Sequence, residues 1–394
     1  MNGSLPQLQQ EIAQAERTSP LSDARLEQLA RAVAEREIAS AEGSDGAAQL
    51  SALRPCVREL EGALRERSER GDEPAATALL LLFETGHGDA SALVARYKEA
   101  DSGAFRALAA YGARAHEHAE LRRRYFTDPD ERVRRGAFDA AIKAPVSQHL
   151  PDLLEAARLD PSALNRGRAA QAVGRIGSEA AVLGLVDLFG SGDESEQLAA
   201  LDAWAEPRAF AHGGERELAR ALSQRGLVSV SAASLLLRSR DSRAAALAVL
   251  ARAIAEGSDD ERRVALYSAP IEEPSIQDAL EKAAKSPSPE LTPLVLSRLI
   301  ELPAKAAQAR AALEKAALDK GDPGLEASYA LARLGSAPAI GRVETELTSP
   351  RSSRRLRAAI TLASLGKRQR LAPRLADQSP LVRTSLACRL SEAS

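Results

Sequence analysis

Helix-start signals recur along this chain at a nearly constant spacing, and that period limits the fold more than any single motif does. Asp72-Glu73-Pro74, Asp101-Ser102-Gly103, Asp128-Pro129, Asp160-Pro161 and Asp193-Glu194-Ser195 are followed by Leu227-Val228-Ser229, Ser258-Asp259-Asp260, Ser288-Pro289, Asp322-Pro323, Pro350-Arg351 and Ser379-Pro380. Successive starts lie 27 to 34 residues apart. A short oxygen-bearing side chain caps the open N–H groups of a first helical turn. Proline at the first helical position gives up only a donor that has no helical partner there. Each signal therefore predicts the start of a helix.

Inside each period the pattern predicts two helices separated by a Gly or Pro break. In one unit residues 164–176 form the first stretch, Gly177-Ser178 the break, and residues 179–189 the second. Val182, Leu185, Val186 and Phe189 then fall on one helical face. The unit from Asp322 repeats this, with Ala327, Ala330, Leu331 and Leu334 before Gly335-Ser336, and Ile340, Val343 and Leu347 after it. Such a hairpin is too small to bury its own apolar stripe, so it must stack on its neighbours. Composition agrees: Ala, Leu and Arg make up nearly half of the 394 residues and aromatics only 3%. These are helix formers, and the shortage of β-formers argues against a sandwich, barrel or propeller. The expected fold is all-α, a right-handed α-solenoid of about ten to eleven stacked antiparallel helical hairpins spanning residues 71–394. Residues 1–70 lack the pattern and are expected to form an N-terminal helical cap, because solenoid ends need a polar outer face.

The segment Asp128-Pro129-Asp130-Glu131-Arg132-Val133-Arg134-Arg135-Gly136-Ala137 resembles the first helix of a HEAT repeat, which reads D-P-x-x-x-V-R-x-x-A-A. Ser379-Pro380-Leu381-Val382-Arg383 is a compressed version, and Asp160-Pro161 with Ala169-Ala170-Gln171-Ala172-Val173-Gly174 matches the later part of that helix, as does Ala330-Leu331-Ala332-Arg333-Leu334-Gly335. The short period resembles the compact bacterial, lyase-type form of the repeat. The resemblance covers roughly residues 70–391, and the units starting near Leu227, Ser258 and Ser288 are assigned by spacing alone. It implies an extended surface that binds another protein without chemistry of its own. It also implies that Arg134 and Arg383 are structural, tying adjacent repeats through acidic partners.

The chemistry-bearing residues offer little against that reading. Of five histidines (His87, His116, His118, His149, His212) only His116-Glu117-His118-Ala119-Glu120 is a cluster, and His116 with Glu120 names no third ligand. No GxGxxG, P-loop, GxSxG or HExxH sequence occurs. Neither a cofactor nor a metal is expected. The two cysteines, Cys56 and Cys388, lie 332 positions apart and form no disulfide framework, which favours a reducing cytoplasm. Cys56 reads as a buried apolar residue, and Cys388, off the Val382, Leu386, Leu390 stripe, as partly exposed. Met1–Gln7 lack the blocks of a signal peptide, and the longest apolar run, around Leu79 to Phe83, is too short to cross a membrane.

Charge is the sharper clue. The whole chain carries −2, yet residues 341–394 hold eleven Arg and Lys against four acids. Arg351, Arg354, Arg355 and Arg357, then Lys367, Arg368, Arg370 and Arg374, make a candidate face for an acidic protein partner. Nucleic acid is disfavoured by the near-neutral total and few aromatics. A second candidate is the break at 205–214, read as a long loop carrying Trp204, Phe210 and His212. There the competing reading, in which the loop folds back and Trp204 fills a gap between hairpins, weighs more. The function expected is a non-enzymatic cytoplasmic scaffold or adaptor. The alternative is a HEAT-like enzyme, of the DNA-glycosylase or chromophore-lyase type, or a nucleic-acid binder. Partner identity and oligomeric state are not encoded in these features.

Overall fold

The computed structural model describes residues 10, 12, 14, 21–86, 88–285 and 288–391. Met1–Gln7 and His87, read above from sequence, lie outside them. Every regular element among the described residues is helical; there are no strands, as in an α-solenoid repeat fold. No described helix is long and apolar enough to cross a membrane. The chain divides into two compact units, one of Ala90–Ala327 and one built from both Met1–Asp89 and Ser328–Ser394.

In the central unit the first helices of successive hairpins stack on one another, Gly103–Gly112 on Glu131–Lys143, then Ala163–Ile176, then Glu194–Trp204. Glycine permits the closest approach: a Cβ on Gly174 would lie 2.3 Å from the Ala203 carbonyl oxygen. Alanines fill the same seam, with Ala137, Ala140, Ala169, Ala172 and Ala200 fully buried. The hairpin of Ala163–Ile176 and Glu179–Ser191 turns as expected. Gly177 takes φ 61°, and Ser178 caps the second helix by accepting the Ala181 N–H.

The Asp-Pro signals work differently from the sequence reading. Helices begin at Glu131 and Ala163, with Asp130 and Ser162 as caps, so Pro129 and Pro161 precede the helix. Asp128 and Asp160 instead accept the N–H two residues on, at 2.8 and 2.9 Å, forming an Asx turn. Proline does open the helix at Pro380–Ser391.

That Asx geometry leaves the second face of each carboxylate for the arginine of the preceding repeat. Arg134 forks onto Asp160 at 2.7 and 3.1 Å, while its other nitrogen donates to the Asp128 and Pro129 carbonyls. Arg106 does the same with Asp128 (3.1 and 3.0 Å) and the Ala100 and Asp101 carbonyls. In the other unit Arg355 forks onto Asp377, both contacts at 2.7 Å, and onto the Ser349 and Pro350 carbonyls. The tie implied by the resemblance for Arg134 is thus present and repeated. These are bidentate, charge-assisted pairs.

The unit built from both ends continues this rule between segments far apart in sequence. Pro380–Ser391 packs against Asp23–Ser40, which also touches Glu61–Ser68; Gly43–Ser51 and Glu61–Ser68 in turn pack on Glu73–Glu84. Arg383 donates to the Asp377 and Gln378 carbonyls, as its counterparts do, but its fork closes on Glu37 at 2.7 and 3.0 Å. Glu37, from the first described long helix, stands where a following repeat would place its aspartate.

The same seam overturns the reading of the cysteines. Cys56 and Cys388 are joined in a disulfide, their Cα atoms 5.5 Å apart, and Cys388 is 2% exposed rather than partly open. Separation in sequence concealed the pairing because the two segments meet only when the N-terminal helices pack on the last one. Burial of Cys56 is as expected.

Candidate functional site

The basic C-terminal residues are mostly engaged within their own unit. Arg351 and Lys367 are exposed. Arg354 lies 3.7 Å from Glu346, and Arg370 pairs with Glu344. Arg355 is tied to Asp377, as above. The Arg357 guanidinium lies 4.2 Å from the centre of the Tyr329 ring. Arg368 donates to the Leu390 carbonyl at 2.6 Å beside Glu27, and Arg374 to the Leu347 carbonyl at 3.0 Å. Helix Ser352–Ser364 therefore sends Arg355 inward and leaves Arg357 on its outer face.

Residues 205–214 are not a long loop. Pro207–Ala209 opens a helical turn that runs through Phe210–Gly214 into Glu215–Ala221, kinked where Gly213 takes φ 114°. Pro207 supplies a ready-made helix start and Gly213 the positive φ, so the Pro and Gly that suggested a loop punctuate a bent helix instead. Trp204 is 1% exposed; its indole N–H donates to the Val182 carbonyl at 3.3 Å and its ring lies 5.3 Å from that of Phe189. It fills the gap between hairpins. Phe210 sits under the Arg238 guanidinium at 4.4 Å, and His212 is exposed with Nδ1 2.8 Å from the Arg208 carbonyl. The three do not converge on one surface.

The structure brings together a different set. Ala163–Ile176, Glu194–Trp204 and the residues around Arg238 wall an open groove of about 650 Å³. Leu164, 52% exposed, and Leu198 give it an apolar floor, and Gly167 widens it, with nothing within 4 Å of where its Cβ would be. Glu206 is held by Gln171 and Arg175, both at 3.0 Å. Arg238 donates to the Ala205 carbonyl, and Arg168 lies 3.4 Å from Asp139 on the neighbouring helix. Solvent reaches Asp202 from the groove mouth while protein walls its other sides. That burial, then the charge of Glu206, raises its carboxyl above the ordinary aspartate range. Burial raises Asp139 too, against the pull of Arg168, Arg135 and Arg114. The groove thus offers apolar contact, two arginines and a carboxyl raised above its ordinary range.

Sequence reasoning missed this groove. Its signal was present: Arg168, Gln171 and Arg175 follow helical spacing on a stripe beside that of Ala169, Ala172 and Val173, and Asp202 and Glu206 lie four apart. What no single helix reveals is that these faces adjoin. The histidine cluster is not a helix face: His116–His118 form a 3₁₀ turn that precedes Ala119–Tyr125. Among the described residues no group of three or more His, Cys, Asp or Glu could hold a metal ion.

Comparison with known proteins agrees with this architecture. Residues 118–205 match the family described as HEAT repeats. No curated protein matches the sequence. Among solved structures the chain is similar to an engineered protein from the Northeast Structural Genomics Consortium, at 18% identity and a TM-score of 0.31, over 86% of this chain and 98% of that one. The matched stretch holds the hairpins of Glu131–Lys143 with Leu150–Leu159 and of Ala163–Ile176 with Glu179–Ser191, joined by the Arg134–Asp160 tie. The chain carries HEAT repeats over residues 118–205.

Proposed function

We propose that this protein is a non-enzymatic scaffold that binds another protein, with the groove at Leu164, Arg168 and Asp202 as the docking surface. One observation carries the reading. Three consecutive repeats wall an open groove whose floor exposes an apolar side chain between charged groups. Interfaces combine an apolar centre with a polar rim in this way. Arg351, Arg357 and Lys367 provide a second, basic face for an acidic segment of the same partner. Residues 1–70 serve as the cap of the repeat array. Placement in the cytoplasm is part of the proposal. The Cys56–Cys388 disulfide fits that placement as a redox-responsive bond, the usual form of disulfides in the cytosol.

The test is site-specific photo-crosslinking in the native cell. A benzoylphenylalanine at position 164 should trap a discrete protein adduct, and Leu164→Arg or Asp202→Lys should weaken capture of that same protein about tenfold or more. A crosslinker at exposed Tyr267 serves as control. Equal yield at both positions, or capture untouched by either groove variant, removes the groove from the reading.

A further inference from the structure

We infer that the contact between the two ends of the chain is a redox latch, in which the Cys56–Cys388 disulfide decides whether helix Asp23–Ser40 stays seated on the last repeat. Three observations meet at one seam. The disulfide joins the turn Arg54–Cys56 to helix Pro380–Ser391, and these are the only two cysteines in the sequence. The noncovalent part of the seam is the packing of Asp23–Ser40 on Pro380–Ser391, polar at its edge: the Arg383–Glu37 fork, a Gln49 amide donating to Thr384 Oγ1 at 2.8 Å and to Glu37 at 2.6 Å, and Arg368 beside Glu27. Elsewhere the repeat-to-repeat tie joins segments 22 to 26 residues apart, as in Arg106–Asp128, Arg134–Asp160 and Arg355–Asp377; at the seam the corresponding tie joins residues 346 apart. Every other tie is held together by its short connection even when its ion pair breaks. At the seam, once the disulfide is gone, no short connection remains.

The chemistry is thiol–disulfide exchange with a dithiol reductant. A reductant thiolate attacks one sulfur, the S–S bond breaks, and the other cysteine leaves as a thiolate that takes up a proton. The second reductant thiol then displaces the first cysteine. Two electrons and two protons have passed to Cys56 and Cys388, and the reductant ends as a disulfide. Both sulfurs are buried, so attack requires the seam to open first. Opening leaves Arg383 without its acid and uncovers the stacking face of Pro380–Ser391. That face fits a helix carrying a carboxylate at the Glu37 position, so the chain's own Asp23–Ser40 returns to it when exchange with a disulfide oxidant, itself reduced to two thiols, re-forms the bond.

Hydrogen exchange on the full chain tests this, with dithiothreitol as reductant. Thiol counting on protein purified without reductant should find none, and two after reduction. On reduction, amides of Asp23–Ser40 and Pro380–Ser391 should exchange about tenfold faster or more, while those of Glu131–Lys143 and Ala163–Ile176 keep their protection. The double variant Cys56→Ser/Cys388→Ser should show the reduced pattern with or without dithiothreitol. In the oxidised chain, Arg383→Lys should quicken reduction by dithiothreitol roughly tenfold, because opening limits access. Unchanged exchange at both seam helices after complete reduction overturns the latch. So does loss of protection spread equally over all four helices, or an Arg383→Lys chain reduced no faster than the parent. If the double variant does not fold, reduction of the parent chain still decides.

Discussion

Asp160 shows how much one side chain does in this fold. It turns the backbone by accepting the Ser162 N–H, and it receives Arg134 from the repeat before it, almost wholly out of solvent. Breaking such a buried pair leaves a charge without compensation, whereas an exposed pair contributes little. Arg134→Ala should therefore lower unfolding stability by about 3 kcal/mol, and Arg124→Ala, which removes the open pair with Glu99, by less than about 1 kcal/mol. Urea titrations of the two variants check this. His149 makes a pH prediction. It is buried, with Nε2 3.0 Å from the Ala119 carbonyl, and burial, then the nearby Arg122 charge, lowers its pKa below the ordinary 6.5. The unfolded chain thus takes up this proton first as pH falls. Stability from His149 is intact above pH 6.5 and declines below it, toward the folded pKa. His149→Leu should flatten the urea midpoint between pH 5 and about 6.5 relative to the parent. A midpoint that falls as steeply as before refutes the assignment.

At the scale of the helix, the same residue type has opposite meanings at two positions of Ala163–Ile176. Gly174 lies against the Ala203 backbone, and Gly167 faces the open groove. Gly174→Ala forces the stacked helices apart and should cost about 1–3 kcal/mol. Gly167→Ala should instead stabilise by up to about 1 kcal/mol, by helix propensity alone. Thermal melts of the two variants should shift in opposite directions. The hairpins themselves are legible in sequence because caps, glycine breaks and apolar stripes act over a few residues, as at Gly177 and Ser178. Asp128 and Asp160 mark the right places for a reason the local rule did not contain: their role depends on an arginine one repeat away. The bent helix at 207–221 was read as a loop because Pro207 and Gly213 look alike whether they end a helix or bend it. The groove was hidden because Arg168 and Asp202 belong to different repeats, and which faces adjoin is set by stacking.

For the whole molecule, the two compact units provide separate probes. The single tryptophan, Trp204, is buried in the central unit, and the disulfide belongs to the other. In denaturant, reduction should leave the midpoint seen by tryptophan fluorescence in place and add an earlier phase to the loss of helical circular dichroism. The chain-entropy relation puts the lost stabilisation at up to about 6 kcal/mol for so long a loop. A fluorescence midpoint that moves with reduction would show that the units do not respond separately. The pairing of the two ends also could not be read along the chain, since periodicity compares neighbours, and Glu37 and Arg383 are 346 residues apart. Their meeting has a consequence for how the protein is made. At translation rates of about 5–20 residues per second, Asp23–Ser40 leaves the ribosome roughly 20–70 s before Pro380–Ser391 does. For that interval its apolar face, with Leu26, Val33 and Ile38, lacks the packing of Pro380–Ser391, while the whole central unit emerges and has time to fold. This early helix is thus among the last to be covered, and a nascent-chain chaperone has a defined client segment and a defined time in which to hold it.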